Sequence, residues 1–346
     1  MSVYNFPFSK KIFLLLCSIV LIFVLIGIEA RTDAAPDPEA HWRERIATVG
    51  AEKAYAELVD ELHDATQQQQ HVSAHYFGGA LYTEAGIDAL PICDERFSYG
   101  CFHQFIGTAI HEKGLKVVNT LRDTCARVLG GSAGACIHSV GHGILTSIGY
   151  SEDALREALK LCRDVPNATN HHPISECERG VLMEFNFRAM LGEEAETRPV
   201  TDTGWNNPCD RLDGSAQITC FYTNSQWWRA LEARDGGDNT AVIARVGARC
   251  ADVPPAFRDV CFSGLGATIA WDFDDPPSEK ATLCDSASSD ARSQASCRAH
   301  LAYWLSKIVR TEPFDRKYAP DVACEGLAEK FVTQCRVYAS GQAIPL

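Results

Sequence analysis

The sequence lacks the features that assign a chain to several common functional classes. Its net charge over 346 residues is −13, so it has no basic character for binding nucleic acid. No two cysteines have the CxxC spacing of a zinc knuckle or a thioredoxin site. The run CFSGLG around Ser263 is not the GxSxG turn of a serine hydrolase, and strand signals are scarce. With 46% hydrophobic and 22% charged residues, the composition is that of an ordinary globular protein.

A long apolar run near the N terminus predicts export. Lys10 and Lys11 precede a mostly apolar, uncharged run over residues 12–28, and basic residues in that place favour an N-in orientation. The run is long for a signal-peptide core and slightly short for a helix that crosses about 30 Å of hydrocarbon. We predict an uncleaved membrane anchor over residues 1–30, although cleavage as a signal segment, which would give a secreted protein, is also compatible with the sequence.

The rest of the chain is predicted to lie outside the cytoplasm, in the periplasm or at the cell exterior. Residues 31–42 are predicted to be a linker, and residues 43–346 a single domain. The membrane, through residues 12–28, is thus one predicted partner, and a protein or peptide is another. The sequence does not indicate an oligomeric state.

Fourteen of the fifteen cysteines form seven consecutive pairs. The pairs are Cys93 with Cys101, Cys125 with Cys136, Cys162 with Cys177, Cys209 with Cys220, Cys250 with Cys261, Cys284 with Cys297 and Cys324 with Cys335. They recur roughly every forty residues, and an apolar helical run follows each second cysteine, as in a tandem repeat. Outside the cytoplasm such cysteines persist as disulfides. We therefore predict seven disulfides, each closing the loop of one helical hairpin.

The pattern between the cysteines is helix, short connection, helix. Residues 151–162 show it best, with a serine cap, an acidic first turn and apolar residues three and four apart. Residues 43–86 look like a hairpin of the same kind without the cysteine pair. We predict an all-α fold of about eight tandem, disulfide-stapled helical hairpins. Both an open solenoid and a closed α/α ring fit this repeat.

Histidines recur at equivalent positions when each repeat is numbered from its second cysteine. Three successive helices carry histidine two positions after that cysteine, and two of them carry another one turn later. We call these positions the first slot (His71, His103 and His138) and the second slot (His75 and His142), with Gln69 standing for the cysteine that the first hairpin lacks. In the later repeats the first slot is taken by Arg179, Tyr222, Ser263, Ala299 and Val337.

Two of these helices therefore offer a pair of imidazoles on one face, since residues four apart project from the same side. That is the spacing by which a helix presents two histidines to one metal ion. Several glycines surround the histidines and indicate close helix–helix approach, which would let imidazoles of neighbouring helices converge. These glycines are Gly78, Gly79, Gly107, Gly141 and Gly143.

The spacing predicts a transition-metal site with five histidines as candidate ligands. They are His71, His75, His103, His138 and His142, with His111, Glu112 and Glu184 as additional candidates. Neutral imidazole suits Zn, Fe or Cu, and the ligand set does not choose among them. Neither pair encloses a glutamate in the manner of a zinc protease, so that general base is absent. Alternatively, the histidines are structural and hydrogen-bond a loop carbonyl near the disulfide.

Three stretches resemble a group of uncharacterised bacterial exported proteins. They are HVSAH at residues 71–75, GCFH at residues 100–103 and CIHSVGHG at residues 136–143. In that group, HxxxHxxG, GCxHG and CxHGxGHG elements recur in helical repeats with paired cysteines. The resemblance covers residues 65–190 and elsewhere only the cysteine spacing; it implies the repeats and the histidine site, but no reaction. The chain departs from it at Gln104 and Ser139, where glycine is usual.

Two functions follow from these observations. The first is a membrane-tethered, extracytoplasmic helical-repeat protein with a histidine-rich transition-metal site, which could be that of a metalloenzyme. The alternative is a non-catalytic repeat scaffold that binds a protein or peptide partner. A metal site predicts that the histidines share one buried place, whereas the scaffold predicts histidines that point apart and an exposed apolar surface.

Overall fold

A computed structural model describes residues 37–130, 133–163, 174–191, 204–272, 275–311 and 319–342. Within these ranges the chain is helical and contains no strand, which confirms the all-α prediction. The segment predicted to be a membrane anchor, residues 1–30, lies outside them. Among the helices that the structure describes, none is both long and apolar enough to span a membrane.

The helices follow one another along the chain in short hairpins. The α-helices of the described ranges are α1 (Pro38–Val49), α2 (Ala51–Glu61), α3 (Gln67–Ala85), α4 (Gly100–Lys113), α5 (Val118–Leu129), α6 (Gly134–Ile148), α7 (Glu152–Arg163), α8 (Glu176–Leu191), α9 (Gly214–Arg234), α10 (Asn239–Asp252), α11 (Arg258–Asp272), α12 (Pro277–Ala287), α13 (Ala291–Thr311) and α14 (Glu329–Ala339). Short 3-10 helices cover Ile87–Ile92, Phe97–Tyr99, Leu115–Val117, Cys209–Arg211, Pro255–Phe257 and Pro320–Cys324.

The second helices of the hairpins pack on one another in chain order. The order is α3, α4, α6, α8, α9, α11, α13 and α14. The first helices α5, α7, α10 and α12 form a second layer against them. This arrangement is solenoid-like, and contacts cross its interior. The ring of Tyr99, just before α4, lies 6.3 Å from that of Trp271 in α11, and the guanidinium of Arg179 in α8 lies 5.0 Å from the ring of Trp304 in α13.

Seven disulfides join the cysteines in the pairs that the sequence predicts. The bonds join Cys93 to Cys101, Cys125 to Cys136, Cys162 to Cys177, Cys209 to Cys220, Cys250 to Cys261, Cys284 to Cys297 and Cys324 to Cys335. The second cysteine of every pair lies in the second helix of its hairpin and is buried. These fourteen cysteines therefore belong to the framework of the fold and are not available to bind a metal ion.

The disulfides close helical hairpins as predicted, and at three hairpins the first cysteine lies in or beside a 3-10 helix instead of an α-helix. These first cysteines are Cys93, Cys209 and Cys324, the partners of Cys101, Cys220 and Cys335. Cys261 and Cys297 have partners in the α-helices α10 and α12, as predicted. The disulfide thus fixes the start of the second helix whether the first cysteine lies in an α-helix or in or beside a 3-10 helix.

The folded part begins earlier than the sequence analysis predicts. α1 starts at Pro38, so residues 38–42 of the predicted linker are helical. The Asp37 side chain accepts a hydrogen bond from the Glu39 backbone N–H, and proline at the first helical position needs no hydrogen-bond partner there. Trp42 is buried edge-on against Phe77 of α3, with ring centroids 5.5 Å apart. This contact is part of the packing of α1 against α3.

Glycines allow the second helices to approach closely. A side chain at several of them would overlap a backbone carbonyl of the adjacent helix. Near the histidines, Gly78 faces Cys101, Gly141 faces Cys177 and Gly180 faces His138. The predicted close approach is thus confirmed at Gly78 and Gly141. Gly107 differs, because a Cβ there would meet no atom within 4 Å.

The crowded position of Gly180 and the open position of Gly107 predict that alanine changes the stability of the protein in opposite directions. Gly180→Ala should lower the free energy of unfolding by about 1–3 kcal/mol, since α6 and α8 must separate to relieve the overlap with the His138 carbonyl. Gly107→Ala, the matched control in α4, should raise it by roughly 0.5–1 kcal/mol because alanine favours a helix interior. Urea unfolding measures both values, and equal stabilities for the two variants would contradict the packing.

Candidate metal centre

All five predicted histidines come together on α3, α4 and α6, which are the second helices of three successive hairpins. α4 packs against both α3 and α6, so its single slot histidine lies between the two pairs. The side chains form two groups of three, one of His71, His75 and His103 and the other of His103, His138 and His142. We call them the first and second histidine groups. In each group the ligand nitrogens lie within 4.8 Å of one another.

In the first histidine group the nitrogens meet at short distances. Nδ1 of His71 lies 2.9 Å from the carbonyl oxygen of Phe97, and because a carbonyl only accepts, Nδ1 carries the proton. Nε2 of neutral His71 therefore presents its lone pair, 3.1 Å from Nε2 of His75. Nδ1 of His103 lies 3.3 Å from the same His75 nitrogen. Three imidazoles from two helices thus converge.

The second histidine group repeats this arrangement one hairpin later. Nε2 of His142 lies 3.0 Å from Nε2 of His138, and Nδ1 of His142 donates to the Glu184 carboxylate at 2.8 Å. The other carboxylate oxygen accepts a hydrogen bond of 2.6 Å from the Tyr150 hydroxyl. Glu184 thus orients His142 through the ring edge that faces away from His138, as carboxylates orient metal-bound histidines.

These distances match those of a metal site. Two nitrogens bound to one tetrahedral ion at about 2.0–2.1 Å lie roughly 3.3 Å apart. The observed separations around His75 are 3.1 and 3.3 Å, and that between His138 and His142 is 3.0 Å. The side chains therefore need little movement to place their lone pairs around a common point.

Burial keeps four of the five imidazoles uncharged. It lowers the pKa of His71, and together with the neighbouring histidines it lowers the pKa of His75 to about 3. Burial and the surrounding histidines hold the pKa of His103 well below its ordinary range, and for the pKa of His138 the positive charge of Arg179 adds to burial. Neutral imidazole is the form that binds a metal ion.

A left-handed segment positions the Phe97 carbonyl. Phe97, Ser98 and Tyr99 have φ values of 56°, 53° and 68°, a conformation that costs roughly 1–2 kcal/mol for each residue other than glycine. The disulfide between Cys93 and Cys101 encloses this segment. The resulting turn directs the Phe97 carbonyl at His71, and it places the Tyr99 ring 6.4 Å from that of His138.

The other predicted ligands lie in different places. His111 and Glu112 are exposed on α4, where Glu112 pairs with Lys113 at 2.7 Å, and neither belongs to a histidine group. Glu184 contacts His142 through Nδ1 rather than joining the converging nitrogens. Burial alone would raise the pKa of Glu184, but hydrogen bonds from His142 and Tyr150 lower it below its ordinary value, which keeps it a carboxylate.

The sequence analysis missed three residues near the groups. Tyr150 and the Phe97 carbonyl have no signal in the sequence. Arg179 was noted only as the residue that replaces histidine in the first slot, yet it is buried beside His138, bonded to Glu176 at 2.8 Å and 5.0 Å from the ring centroid of Trp304. The sequence does contain a signal for Arg179. It is a charged residue at a position that is buried in several of the other repeats.

Comparisons of this chain with protein-family models, with curated proteins and with solved structures gave no match.

The hydrogen bonds predict the tautomers of two histidines. In the metal-free protein at neutral pH, His71 and His142 should both carry a proton on Nδ1, because each Nδ1 faces an acceptor. Long-range ¹H–¹⁵N NMR spectra distinguish this form, with exposed His111 as the reference. Glu184→Ala should remove the preference at His142 and leave His71 unchanged. A proton on Nε2 alone of His71 would contradict the assigned geometry.

Proposed function

We propose that this protein is an extracytoplasmic metalloprotein that binds a transition metal ion through its histidine groups. The observation that carries the proposal is the convergence of His71, His75 and His103, in which the two His75 contacts measure 3.1 and 3.3 Å between nitrogens. Such separations are those of ligands around one ion. Three neutral imidazoles are compatible with Zn, Fe or Cu. The ligands therefore do not identify the ion, and its identity requires a measurement of metal content.

The donor set favours a catalytic ion over a structural one. Structural zinc sites are closed by four protein ligands, whereas catalytic sites keep three and leave a position for water or substrate. Each histidine group supplies three side chains. Of the five histidines His138 is fully buried, and the other four keep part of their surface exposed, so the site lies near the protein surface. An ion held there would supply a Lewis acid, or redox chemistry if it is iron or copper.

The disulfides support a place outside the cytoplasm. Seven of them join neighbouring elements of the fold, and such bonds persist in oxidising compartments. The apolar run over residues 12–28 would export the rest of the chain and tether it to a membrane. The metal site would then face the periplasm or the cell exterior.

The scaffold alternative receives less support. It predicts histidines that point apart, but all five lie in two overlapping groups. It also predicts a broad apolar surface, whereas the large hydrophobic side chains exposed within the described ranges are Val72 and Tyr76 alone. His71 does hydrogen-bond a loop carbonyl near a disulfide, as a structural role would require. That bond leaves the Nε2 lone pair of neutral His71 available, so the two roles are compatible.

Metal content tests the proposal. The protein, purified without an affinity tag from an oxidising compartment supplied with Zn, Fe and Cu, should contain at least one ion per chain by mass spectrometry of the elements. The double variant His71→Ala/His138→Ala removes one ligand from each group and should lose the ion.

Two controls make the result decisive. His111→Ala removes an exposed histidine from α4 and should leave the metal content unchanged. Circular dichroism should show the same helix content in all three proteins. A folded wild-type protein without metal that also takes up none of the three ions in solution would overturn the proposal and favour the scaffold.

The position of Glu184 predicts that its substitution weakens metal binding without abolishing it. Glu184→Gln keeps the shape of the side chain but removes the charge that stabilises the proton on His142. We expect metal affinity to fall about 10–100-fold, as it does for other residues that orient a ligand. Competition with a chelator measures the affinity. Glu112→Gln is the matched control on α4, and an equal loss in that exposed position would show that the effect is not local.

A further inference from the structure

His103 belongs to both histidine groups, and its ring has two nitrogens to offer. Nδ1 lies 3.3 Å from Nε2 of His75 in the first group. Nε2 is buried and has no hydrogen-bond partner among the described residues. The ring centroid lies 4.7 Å from that of His142 and 5.7 Å from that of His138. A buried ring nitrogen without a partner, beside two further imidazoles, is a free ligand atom.

The other four histidines are divided between the two sides. His71 and His75 approach each other through Nε2 on α3, and His138 and His142 do the same on α6. α4, packed between these helices, contributes one imidazole only, because its second slot is Gly107. The arrangement is therefore two HxxxH pairs with a single histidine shared between them.

We propose that the site holds two transition metal ions bridged by the His103 ring, with Nδ1 bound to the ion of the first group and Nε2 to that of the second. This rests on the proposed function, since it assigns both histidine groups to metal. Each ion then has three nitrogen ligands and an open position. Each ion would supply a Lewis acid, or redox chemistry if it is iron or copper, beside the other.

The bridge requires a proton to leave. Neutral His103 carries one ring N–H, and both nitrogens bind metal only when that proton is released to solvent and the ring becomes an imidazolate. The negative charge of the imidazolate reduces the repulsion between the two dications. The carboxylate of Glu184, bonded to His142, reduces it further on the side of the second group.

Copper(II) added to the metal-free protein tests the bridge. The wild-type protein should bind two Cu(II) per chain, with an electron paramagnetic resonance intensity well below that of two independent spins, because the imidazolate couples them. His103→Gln should restore full intensity per bound copper. His75→Ala and His142→Ala each weaken one group, and each should reduce tight binding to one copper with the intensity of a single spin.

The other outcomes separate this inference from the proposed function. Two bound Cu(II) with full intensity in the wild-type protein would overturn the bridge and leave two independent sites. One tightly bound Cu(II) would overturn the two-ion site but retain metal binding. Binding of no copper, zinc or iron by the folded protein would overturn the proposed function itself. Circular dichroism of each variant shows whether a lost ion reflects a lost ligand or a lost fold.

Discussion

The close packing of successive second helices is the contact on which the rest of the structure depends. α6 and α8 approach so closely that Gly180 lies against the His138 carbonyl and Gly141 against that of Cys177. The same contact recurs between α3 and α4, where Gly78 lies against the Cys101 carbonyl. Helices at this distance bring the first and second slots of neighbouring hairpins within reach of one another. With longer spacing, each HxxxH pair would be an isolated surface feature.

The disulfides hold the start of each second helix and so help to fix the positions of the histidines. Cys101 and Cys136 precede the first slot by two residues, so each staple holds the first turn that carries a ligand candidate. The loop closed by Cys93 and Cys101 also contains the left-handed residues at 97–99. A backbone in that conformation persists only where its surroundings determine it. Here the disulfide and the hydrogen bond from His71 to the Phe97 carbonyl hold the backbone in this conformation.

Much of this architecture is predictable from the sequence because it is periodic. Cysteine pairing, the helical hairpins and the alignment of His71, His103 and His138 follow from spacing alone. The start of α1 was predictable as well, since Asp37 followed by proline is a helix start signal. Contacts made by single backbone groups were not. None of the three left-handed residues at 97–99 is the glycine or asparagine that usually announces such a turn, so the carbonyl that orients His71 has no signature.

The three neutral imidazoles of the first histidine group have too few N–H donors for the ring nitrogens that meet there. This shortage explains why the converging imidazoles favour a cation. His71 commits its proton to Phe97 and faces His75 with a lone pair. A proton on Nε2 of His75 can satisfy that lone pair, but the lone pair of His103 Nδ1 then competes for the same proton. If Nδ1 of His103 donates to His75 instead, the lone pair of His71 loses its donor.

In either neutral arrangement one ring nitrogen lacks a full hydrogen bond, and a buried polar atom without a partner costs about 1–3 kcal/mol. A metal ion at the centre would accept all three lone pairs at once. The folded chain bears the cost of collecting uncharged imidazoles in advance, and the binding of an ion, as proposed, would offset that cost.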